Sequence, residues 1–227
     1  MRRASEAAGS GSVMAVLMSG GLDSSILLGE MVQRGASVYP LYVRCGLRWE
    51  QAELAQLLQF LAAVATPGLQ PLSILEMPVA DLYEDHWSLG GPDVPDGDST
   101  DEAVFLPGRN VLLLGKSILW CHLHGVPAVA LGTVRGNPFA DATDRFATGL
   151  QRAINLALDG SVRICRPYAS LTKSEVMRRG QGLPLHLTFS CLAPASGAHC
   201  GRCNKCAERQ RAFASIHAAD PTVYAAK

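Results

Sequence analysis

The sequence predicts an α/β fold in which five strands form a doubly wound, mostly parallel sheet. Short apolar runs alternate along the chain with longer segments in which apolar residues recur at helical spacing. A turn rich in Ser and Gly follows the first apolar run directly, as at a junction between a strand and a helix. Because each strand is followed by a helix, the strands are expected to run parallel, with helices covering both faces of the sheet.

Each element is assigned from its own apolar pattern. The strands are predicted at residues 13–18, 37–43, 72–79, 128–132 and 162–167. Helices are predicted at residues 22–33, 47–65, 110–125 and 143–158. Residues 90–102 are rich in Gly, Pro, Asp and Ser and have no apolar period, so they are expected to form a surface loop. A mobile lid and a solvated connection are both compatible with that composition.

Residues 19–25 form the turn after the first strand and read Ser-Gly-Gly-Leu-Asp-Ser-Ser. Glycines let the backbone approach a phosphate closely, and the free N–H groups of a helix start favour negative charge. Asp23 is either an acidic residue at the helix start or a ligand for a magnesium ion that bridges phosphates. The turn therefore indicates ATP binding by Met18, Ser19, Gly20, Gly21, Leu22, Asp23, Ser24 and Ser25. The alternative is a turn capped by Ser19 or Ser24 that holds no ligand.

Two further segments are expected at the same edge of the sheet, because ligands bind beyond the carboxyl ends of parallel strands. Gly108, Arg109 and Asn110 precede an apolar helix, and Gly132 ends the fourth strand. These four residues are added to the predicted ATP site. A plain turn with an Asn helix cap is the alternative for Arg109 and Asn110.

Lys173 lies in the run Thr-Lys-Ser-Glu at residues 172–175, where Thr172 and Glu175 make a capping box. A helix start explains the Thr and the Glu but not the Lys, whose charge opposes the helix dipole. A phosphate-binding role for Lys173 is therefore favoured. Asp23, Arg109 and Lys173 are the predicted catalytic residues.

Four cysteines near the end of the chain have metal-ligand spacing, C-x8-C-x2-C-x2-C, at Cys191, Cys200, Cys203 and Cys206. Four thiolates with no open position describe a structural zinc site. A redox dithiol, core thiols and an iron-sulfur cluster are the alternatives. The neighbouring His199 is expected to be exposed. Cys45, Cys121 and Cys165 are expected to be buried thiols, with Cys45 the nearest of the three to a ligand.

The composition narrows the class of protein. Twenty basic and twenty acidic residues give a formal net charge of zero, which argues against a protein that holds nucleic acid mainly through its phosphates. The apolar runs are too short for a membrane span, and the first residues lack an apolar signal core. Seven cysteines, four of them clustered, suit a reducing compartment, so a soluble, cytoplasmic protein is expected.

The chain is divided into three parts on these patterns. Residues 1–12 are expected to form a flexible extension, residues 13–185 an ATP-binding α/β domain, and residues 186–227 a small zinc-binding helical unit.

Several motifs resemble the 7-cyano-7-deazaguanine synthase family of PP-loop ATP pyrophosphatases, in that family's order and spacing. They are SGGLDSS at residues 19–25, LPGRN at 106–110, SLTKSEV at 170–176, and FSC at 189–191 followed by HCGRCNKCAERQRAF at 199–213. The resemblance implies a ligase of queuosine biosynthesis that uses ATP, Mg²⁺ and ammonia to convert 7-carboxy-7-deazaguanine into its nitrile. It also implies a homodimer.

The chain departs from the family's pattern at two places that bear on the acceptor. Residues 139–143 read Phe-Ala-Asp-Ala-Thr where the family carries Tyr-Pro-Asp-Cys-Arg, and residues 44–48 read Arg-Cys-Gly-Leu-Arg where the family has a Gln-Arg-His segment. The candidate substrate residues are Arg44, Arg48, Asn137 and Asp141. ATP activation is expected to survive these changes, with a deazapurine or another small carboxylate as acceptor. A product that stops at the amide is an open alternative.

Other function classes fit parts of the sequence. Basic residues on and after the cysteine motif suit a PP-loop enzyme that modifies tRNA, although a solvated helix face is the favoured explanation; they are Arg202, Lys205, Arg209 and Arg211. Modification of a protein terminus and nucleotide binding without turnover are the remaining alternatives. The neutral net charge favours a small-molecule partner over nucleic acid.

Overall fold

The chain folds as a parallel sheet because each strand is followed by a segment that returns to the same end of the sheet. The computed structural model describes residues 11–225. Its strands are β1 (Val13–Met18), β2 (Ser37–Arg44), β3 (Ser73–Glu76), β4 (Ala128–Ala130) and β5 (Arg163–Cys165). Its helices are α1 (Leu22–Gln33), α2 (Glu50–Ala63), α3 (Ala80–Tyr83), α4 (Arg109–Leu123), α5 (Asp144–Leu158), α6 (Lys173–Arg179) and α7 (Asn204–Ala214). Within the described range the strand order is β3-β2-β1-β4-β5, every pair is parallel, and the predicted fold class is confirmed.

The sheet is buried on both faces. Alternate residues of β1 point to opposite sides, so Val16 packs in a cluster with α1 and α6, whereas Leu17 packs in a second cluster with α4. Five of the six residues of β1 are buried. A strand with two buried faces needs a continuous apolar run, which is why the sequence signal there is so clear.

The observed elements are generally shorter than the predicted ones. The third strand ends at Glu76, and the fourth ends at Ala130, so Gly132 lies in the loop beyond the sheet. The second helix begins at Glu50 instead of residue 47, because residues 45–49 form a turn before it. The Glu50 carboxylate accepts the backbone N–H of Cys45 at 2.7 Å and that of Gly46 at 2.9 Å, which holds this turn in place.

Residues 90–102 are irregular, as expected, but they are fixed to the cysteine-rich segment. The backbone N–H of Asn204 donates to the carbonyl of Pro95 at 2.9 Å, and the Asn204 side-chain amide donates to the carbonyl of Ser99 at 2.8 Å. A short 3-10 turn, Asp101–Val104, then leads toward α4. The loop is therefore more than a solvated connection.

The two ends of the chain bear on other expectations. Residues 1–10 of the expected flexible extension lie outside the described residues, and at residue 12 the backbone carbonyl already accepts the N–H of Ser37 at 2.8 Å. Between residues 11 and 225, no helix combines the length and the apolar character that crossing a membrane requires. The division at residues 185 and 186 stays a prediction.

Candidate functional site

A cleft of about 720 Å³ lies beyond the carboxyl ends of β1 and β4 and is called the main cleft below. The separately predicted segments meet in its lining. Asp23 comes from the start of α1, Arg109 from the start of α4, Gly132 from the loop after β4, and Lys173 from the start of α6. Met18, Ser19, Ser24 and Asn110 also line the main cleft.

The glycine turn is shaped by its own hydrogen bonds. Gly20 has a positive φ of 66°, which a glycine adopts without strain. The Ser24 hydroxyl accepts the backbone N–H of Ser19 at 3.2 Å and donates to the carbonyl of Gly21 at 3.4 Å. Gly21 is the N-cap of α1 and has no side chain that could cap the helix. The alternative helix start capped by Ser19 or Ser24 is therefore not observed. The first N–H groups of α1 are thus left for an anion.

Gly132 is held against this turn by a close backbone approach. A Cβ at position 132 would lie 2.9 Å from the backbone C and O of Asp23 and 3.0 Å from the backbone N of Ser24. Ordinary side chains do not approach a backbone so closely, so the loop after β4 fixes the turn only if this residue is a glycine.

We expect Gly132→Ala to weaken ATP binding by about tenfold and to lower the free energy of unfolding by about 1–3 kcal/mol, because the added methyl group must push the turn aside. Calorimetric titration with ATP and urea unfolding measure the two effects. Gly149→Ala is the control, since a Cβ at Gly149 meets nothing within 4 Å. Equal ATP affinity in the two variants would contradict the assigned contact.

A chain of charges runs from the turn to α7. Lys173 Nζ donates to Asp23 Oδ2 at 2.8 Å and to Glu208 Oε1 at 3.2 Å, and Lys205 Nζ donates to Glu208 Oε2 at 2.6 Å. Burial alone lowers the pKa of Lys173, but the charges of Asp23 and Glu208 outweigh it and hold that pKa above its ordinary value. Lys173 is therefore a fixed cation at the start of α6, and Glu208 is a contact that the sequence did not suggest.

Three buried polar atoms in the main cleft have no hydrogen-bond partner among residues 11–225. They are Asp23 Oδ1, Arg109 Nε and Asp141 Oδ1. Leaving a buried polar atom unpaired costs about 1–3 kcal/mol, so such atoms are rare unless a ligand or an ion satisfies them. A carboxylate oxygen of this kind in a glycine turn fits a hard cation such as Mg²⁺.

Asp141 and Asn110 hold two of the loops together. Asp141 Oδ2 accepts the backbone N–H of Asn110 at 3.2 Å, and the Asn110 amide donates to the carbonyl of Asp141 at 3.1 Å. Asn137, the other candidate substrate residue in this loop, lines the main cleft, and its Oδ1 accepts the N–H of Phe139 at 3.0 Å. These contacts set the position of the unpaired Asp141 oxygen.

An aromatic pair forms part of the wall of the main cleft. Phe105 and Phe139 stack with ring centroids 5.0 Å apart and an interplanar angle of 26°. Leu106 and Val134 line the same cleft. An apolar wall beside the Asp141 carboxylate, whose Oδ1 has no partner among the described residues, suits a flat ring with polar edges. The pair was missed at the sequence level because residues 105 and 139 come from different loops.

The remaining sequence-predicted residues are divided between the site and the surface. Arg44 pairs with Glu76 at 3.1 Å on the exposed edge of the sheet. Arg48 donates to the carbonyls of Trp87 and Gly91, each at 3.2 Å. Within the described part of the chain, neither arginine is among the residues that line the main cleft. Gly20 and Gly108, which shape the turns, and Ser25, which is buried in α1, are outside this lining as the described residues define it.

A smaller cavity of about 210 Å³ adjoins the main cleft, and seven residues line both: Ser19, Asp23, Glu53, Arg109, Lys173, Lys205 and Glu208. It is called the side cavity below. Gly21, Leu22 and Trp49 belong to its lining. Cys45, expected to be the nearest of the lone thiols to a ligand, is 2% exposed and is not part of either lining as the described residues define them.

Glu53 is a buried carboxylate between the two cavities. It accepts the hydroxyl of Tyr42 at 2.7 Å and packs against the glycine turn, where a Cβ on Gly20 would lie 2.8 Å from Glu53 Cγ. Burial raises the pKa of Glu53 to about 8, although the Tyr42 hydrogen bond and the charge of Arg109 act in the opposite direction. Sequence patterns did not single out this residue, because a Glu in an amphipathic helix is ordinarily solvated.

The raised pKa of Glu53 predicts a pH dependence of stability. Between its ordinary value of 4.5 and about 8, the folded state holds a proton that the unfolded state releases, so stability falls as the pH rises through this window. The pKa of His199 is lowered, so its effect on stability has the opposite sign, a rise with pH, and falls mainly below its ordinary value of 6.5. We expect urea unfolding at about pH 6.5 and about pH 8 to show this loss, and Glu53→Gln to remove it. Glu76→Gln, an exposed control, keeps the slope; a flat wild-type profile would contradict the prediction.

The four cysteines converge as their spacing predicts. Their sulfur atoms all lie within 4.8 Å of one another, and Cys191 Sγ and Cys203 Sγ are 4.0 Å apart. Four sulfurs at about 2.3 Å from a zinc ion stand about 3.8 Å apart, so the cluster needs little movement to close on one. The backbone N–H of Cys200 donates to Cys191 Sγ at 3.2 Å, as N–H groups that orient metal-bound thiolates do. The cluster fits a closed structural metal site.

His199 is buried, contrary to the expectation that it is exposed. It is 5% exposed, packs against Phe189 with ring centroids 4.5 Å apart at an interplanar angle of 42°, and accepts the backbone N–H of Ser190 on Nε2 at 3.1 Å. Burial lowers the pKa of His199 to about 4, so the ring is neutral and can accept that bond. The His199 ring therefore helps to hold the cysteine-rich loop in place.

Arg209 is also buried, which reduces the basic surface that the tRNA alternative requires. Its guanidinium is 1% exposed and donates to Thr188 Oγ1 at 2.7 Å and to the carbonyl of Leu185 at 2.8 Å. Lys205 is engaged by Glu208. Arg211 lines the rim of the main cleft. The four basic residues therefore do not form one exposed patch.

Comparison with known proteins gives consistent matches over most of the chain. A family model described as "Queuosine biosynthesis protein QueC" matches residues 13–217. A 7-cyano-7-deazaguanine synthase of Stenotrophomonas maltophilia (strain K279a) is 30% identical over 227 residues, covering 92% of this chain and 98% of its own length. One of Xanthomonas oryzae pv. oryzae (strain PXO99A) is 31% identical, covering 92% and 96%.

A solved structure with the same fold is a 4-thiouridine synthetase in complex with RNA and bound ATP. It superposes with a TM-score of 0.50 and 16% sequence identity over 90% of this chain and 50% of its own. At that identity the likeness concerns the fold alone.

Proposed function

This chain belongs to the QueC family of queuosine biosynthesis proteins, and from that premise we propose that it is an ATP-dependent ligase that forms a carbon–nitrogen bond. In this proposal the protein adenylates a carboxylate and condenses it with ammonia, and the acceptor is 7-carboxy-7-deazaguanine, which becomes 7-cyano-7-deazaguanine. The observation that carries the proposal is the buried Asp23 Oδ1, which has no hydrogen-bond partner among residues 11–225 and lies beside Lys173 at an open helix start.

ATP is proposed to lie with its phosphates at the start of α1. The N–H groups beyond Gly21 and the fixed cation of Lys173 suit the negative charge of the phosphates. Asp23 would hold Mg²⁺, which supplies charge neutralisation on the phosphates. Arg109, whose Nε is buried and unpaired among the described residues, is proposed to contact the nucleotide or the acceptor carboxylate.

The acceptor is proposed to lie against the Phe105 and Phe139 pair. The unpaired Asp141 oxygen can accept an N–H from the edge of a planar heterocycle, and Asn137 offers a further polar group nearby. Arg44 and Arg48 have no part in this arrangement. The proposal therefore narrows the substrate residues to those of the loop after β4.

Two activations account for the nitrile. The acceptor carboxylate attacks the α-phosphorus of ATP and pyrophosphate leaves; ammonia then attacks the acyl carbon and AMP leaves, giving the amide. The amide oxygen then attacks the α-phosphorus of a second ATP and pyrophosphate leaves; loss of AMP, which carries that oxygen, and of the two amide protons forms the nitrile. Lys173 and Arg109 compensate the charge that develops on the departing phosphates.

The four-cysteine cluster is proposed to bind Zn²⁺ and to act structurally. The segment it holds meets the glycine turn, since the backbone N–H of Phe189 donates to the carbonyl of Gly20 at 2.7 Å. We also propose a cytoplasmic homodimer, as the family resemblance implies.

Incubation with ATP, Mg²⁺, ammonium and 7-carboxy-7-deazaguanine tests the function, with the nucleotide products and the deazapurine mass followed together. Formation of the nitrile with release of AMP and pyrophosphate is the expected result. Accumulation of the amide alone would mean that the second activation is missing. ATP binding without turnover would contradict the proposed acceptor and direct the search to other carboxylates.

A further inference from the structure

Residues 95–106, called the arm below, join the cysteine-rich segment to the wall of the main cleft. Near one end, Asp96 pairs with Cys203 in an isolated antiparallel β-bridge. Near the other end, four residues of the arm line the main cleft: Asp101, Val104, Phe105 and Leu106. The arm therefore connects the cysteine cluster, through a short piece of chain, to the aromatic pair against which the acceptor is proposed to lie.

Asn204 holds the arm from the first turn of α7. It follows Cys203 directly, and its side chain is fully buried. The side-chain amide donates to the carbonyl of Ser99 at 2.8 Å and to that of Thr100 at 3.4 Å. The backbone N–H of Asn204 donates separately to the carbonyl of Pro95 at 2.9 Å. Only the nitrogen of an amide can donate to carbonyls, so the two side-chain contacts fix how the amide is turned.

A short turn carries the contact at Thr100 to the cleft. Thr100 is the N-cap of the 3-10 turn Asp101–Val104, and Phe105 follows that turn as its C-cap. The backbone N–H of Phe105 donates to the carbonyl of Glu102 at 3.0 Å, which ties the ring-bearing residue to the turn. Leu106, the next residue, is buried in the core. The position of Thr100 therefore sets the position of the Phe105 ring, which stacks on Phe139.

The buried amide of Asn204 is not explained by the roles assigned so far. Among the described residues, Asn204 is in the lining of neither the main cleft nor the side cavity. Metal binding by Cys203 and Cys206 requires no amide between them, and burying an amide costs free energy unless it is hydrogen-bonded. Any effect of this side chain on the reaction must therefore act through the arm that it holds.

We propose that Asn204 is a positioning residue for the acceptor: by holding the arm at Ser99 and Thr100, it fixes the Phe105 ring in the wall against which the deazapurine lies. This inference rests on the proposed function. It makes the arm a fixed wall of the site instead of a mobile lid. It also makes the cysteine-rich segment the support of acceptor binding, through contacts separate from those that reach Lys173.

Asn204→Ala tests the proposal, because it removes the amide donor but keeps the backbone N–H that bonds to Pro95. We expect the KM for 7-carboxy-7-deazaguanine in ATP–pyrophosphate exchange to rise about tenfold, since a displaced Phe105 ring holds the acceptor less well. The Kd for ATP, measured by calorimetric titration, and the zinc content are expected to stay at their wild-type values. A merely structural role would instead change stability, zinc content and ATP binding together.

Asp96→Ala alters the same arm from its exposed side, where folding is least at risk. Asp96 Oδ1 accepts the backbone N–H of Asp98 at 3.1 Å and that of Ser99 at 2.9 Å, and it accepts the Ser99 hydroxyl at 2.8 Å. Loss of these bonds loosens the segment that Asn204 holds, so the same KM should rise by a smaller factor. Asp98→Ala is the matched control, an exposed aspartate of the same loop whose side chain makes none of these bonds, and it should leave the KM unchanged.

The outcomes distinguish the inference from its premise. A wild-type KM for the acceptor in both Asn204→Ala and Asp96→Ala would overturn the inference alone, and so would an equal rise in Asp98→Ala. Loss of zinc and of ATP affinity in Asn204→Ala, with an unchanged KM in Asp96→Ala, would assign Asn204 to the cysteine cluster and overturn it as well. If Asn204→Ala does not fold, the comparison of Asp96→Ala with Asp98→Ala decides the question by itself. Absence of carboxylate-dependent exchange in the wild-type protein would overturn the proposed function and this inference with it.

Discussion

Replacing Asp23 with Asn is expected to lower the rate of carboxylate-dependent ATP–pyrophosphate exchange by about 10²–10³-fold. The Asn side chain keeps the size of the Asp but removes the charge that Lys173 Nζ meets at 2.8 Å. It also leaves no anionic oxygen in place of Oδ1, which is buried without a partner among residues 11–225 and faces the main cleft. The exchange assay, repeated over a series of Mg²⁺ concentrations, measures both the fall in rate and the weaker dependence on Mg²⁺.

A structural explanation predicts different behaviour. If Asp23 served only the start of α1, its loss would cost about 0.3–1 kcal/mol of stability and leave exchange intact. Asp144→Asn provides the matched control, because Asp144 is the acidic first-turn residue of α5 and is outside both cavity linings within the described residues. Exchange rates in Asp23→Asn that match those of Asp144→Asn would remove Asp23 from the catalytic set.

The fold was predictable because its signals are local. The apolar run of β1 and the helical period of α1 are each contained in about a dozen residues, and α1 has the predicted bounds, Leu22–Gln33. Element ends were less predictable, since they depend on contacts made at a distance. The start of α2 is set by Glu50 binding back to the turn before it, which the apolar period does not record.

Residues of the candidate site could be predicted from the sequence only where they belong to a recognisable motif. The glycine turn and Lys173 were indicated by their own neighbours in sequence, and the cysteine cluster, confirmed as a group by the structure, by its spacing. Glu208 and the Phe105 and Phe139 pair are in the site because the fold brings separate segments together. The burial of His199 and Arg209 has the same origin, since both side chains are covered by residues distant in sequence.

The cysteine-rich segment and the proposed ATP site are connected through a small number of contacts. Phe189 binds the glycine turn through its backbone N–H, and Glu208, two residues after the last cysteine, holds Lys173. A metal in the cluster would therefore be placed where it can set the position of Lys173, the proposed catalytic cation. Loss of the metal should affect ATP binding as well as local stability.

Replacing Cys203 with Ser is expected to lower the free energy of unfolding by at least about 4 kcal/mol, which corresponds to a fall in Tm of about 8–16 °C for a chain of this size. Cys203 is the N-cap of α7, and its sulfur accepts the N–H of Leu192 at 3.4 Å. Without a fourth thiolate the cluster cannot close on a zinc ion, and α7 loses the anchor for its first turn. Zinc content by mass spectrometry and thermal unfolding measure the change.

Cys165→Ser is the control that separates the effect of losing the metal from the effect of removing any partly buried thiol. Cys165 is a half-buried residue of β5 outside the cluster, so its variant should keep full zinc content and lose little stability. The coupling adds a second expectation, because Cys203→Ser should weaken ATP binding although no cysteine of the cluster lines the main cleft in the described residues. Full zinc content with an unchanged Tm in Cys203→Ser would contradict the metal site. Zinc loss with undiminished ATP affinity would show that the contacts of Phe189 and Glu208 do not transmit the metal's effect to Lys173.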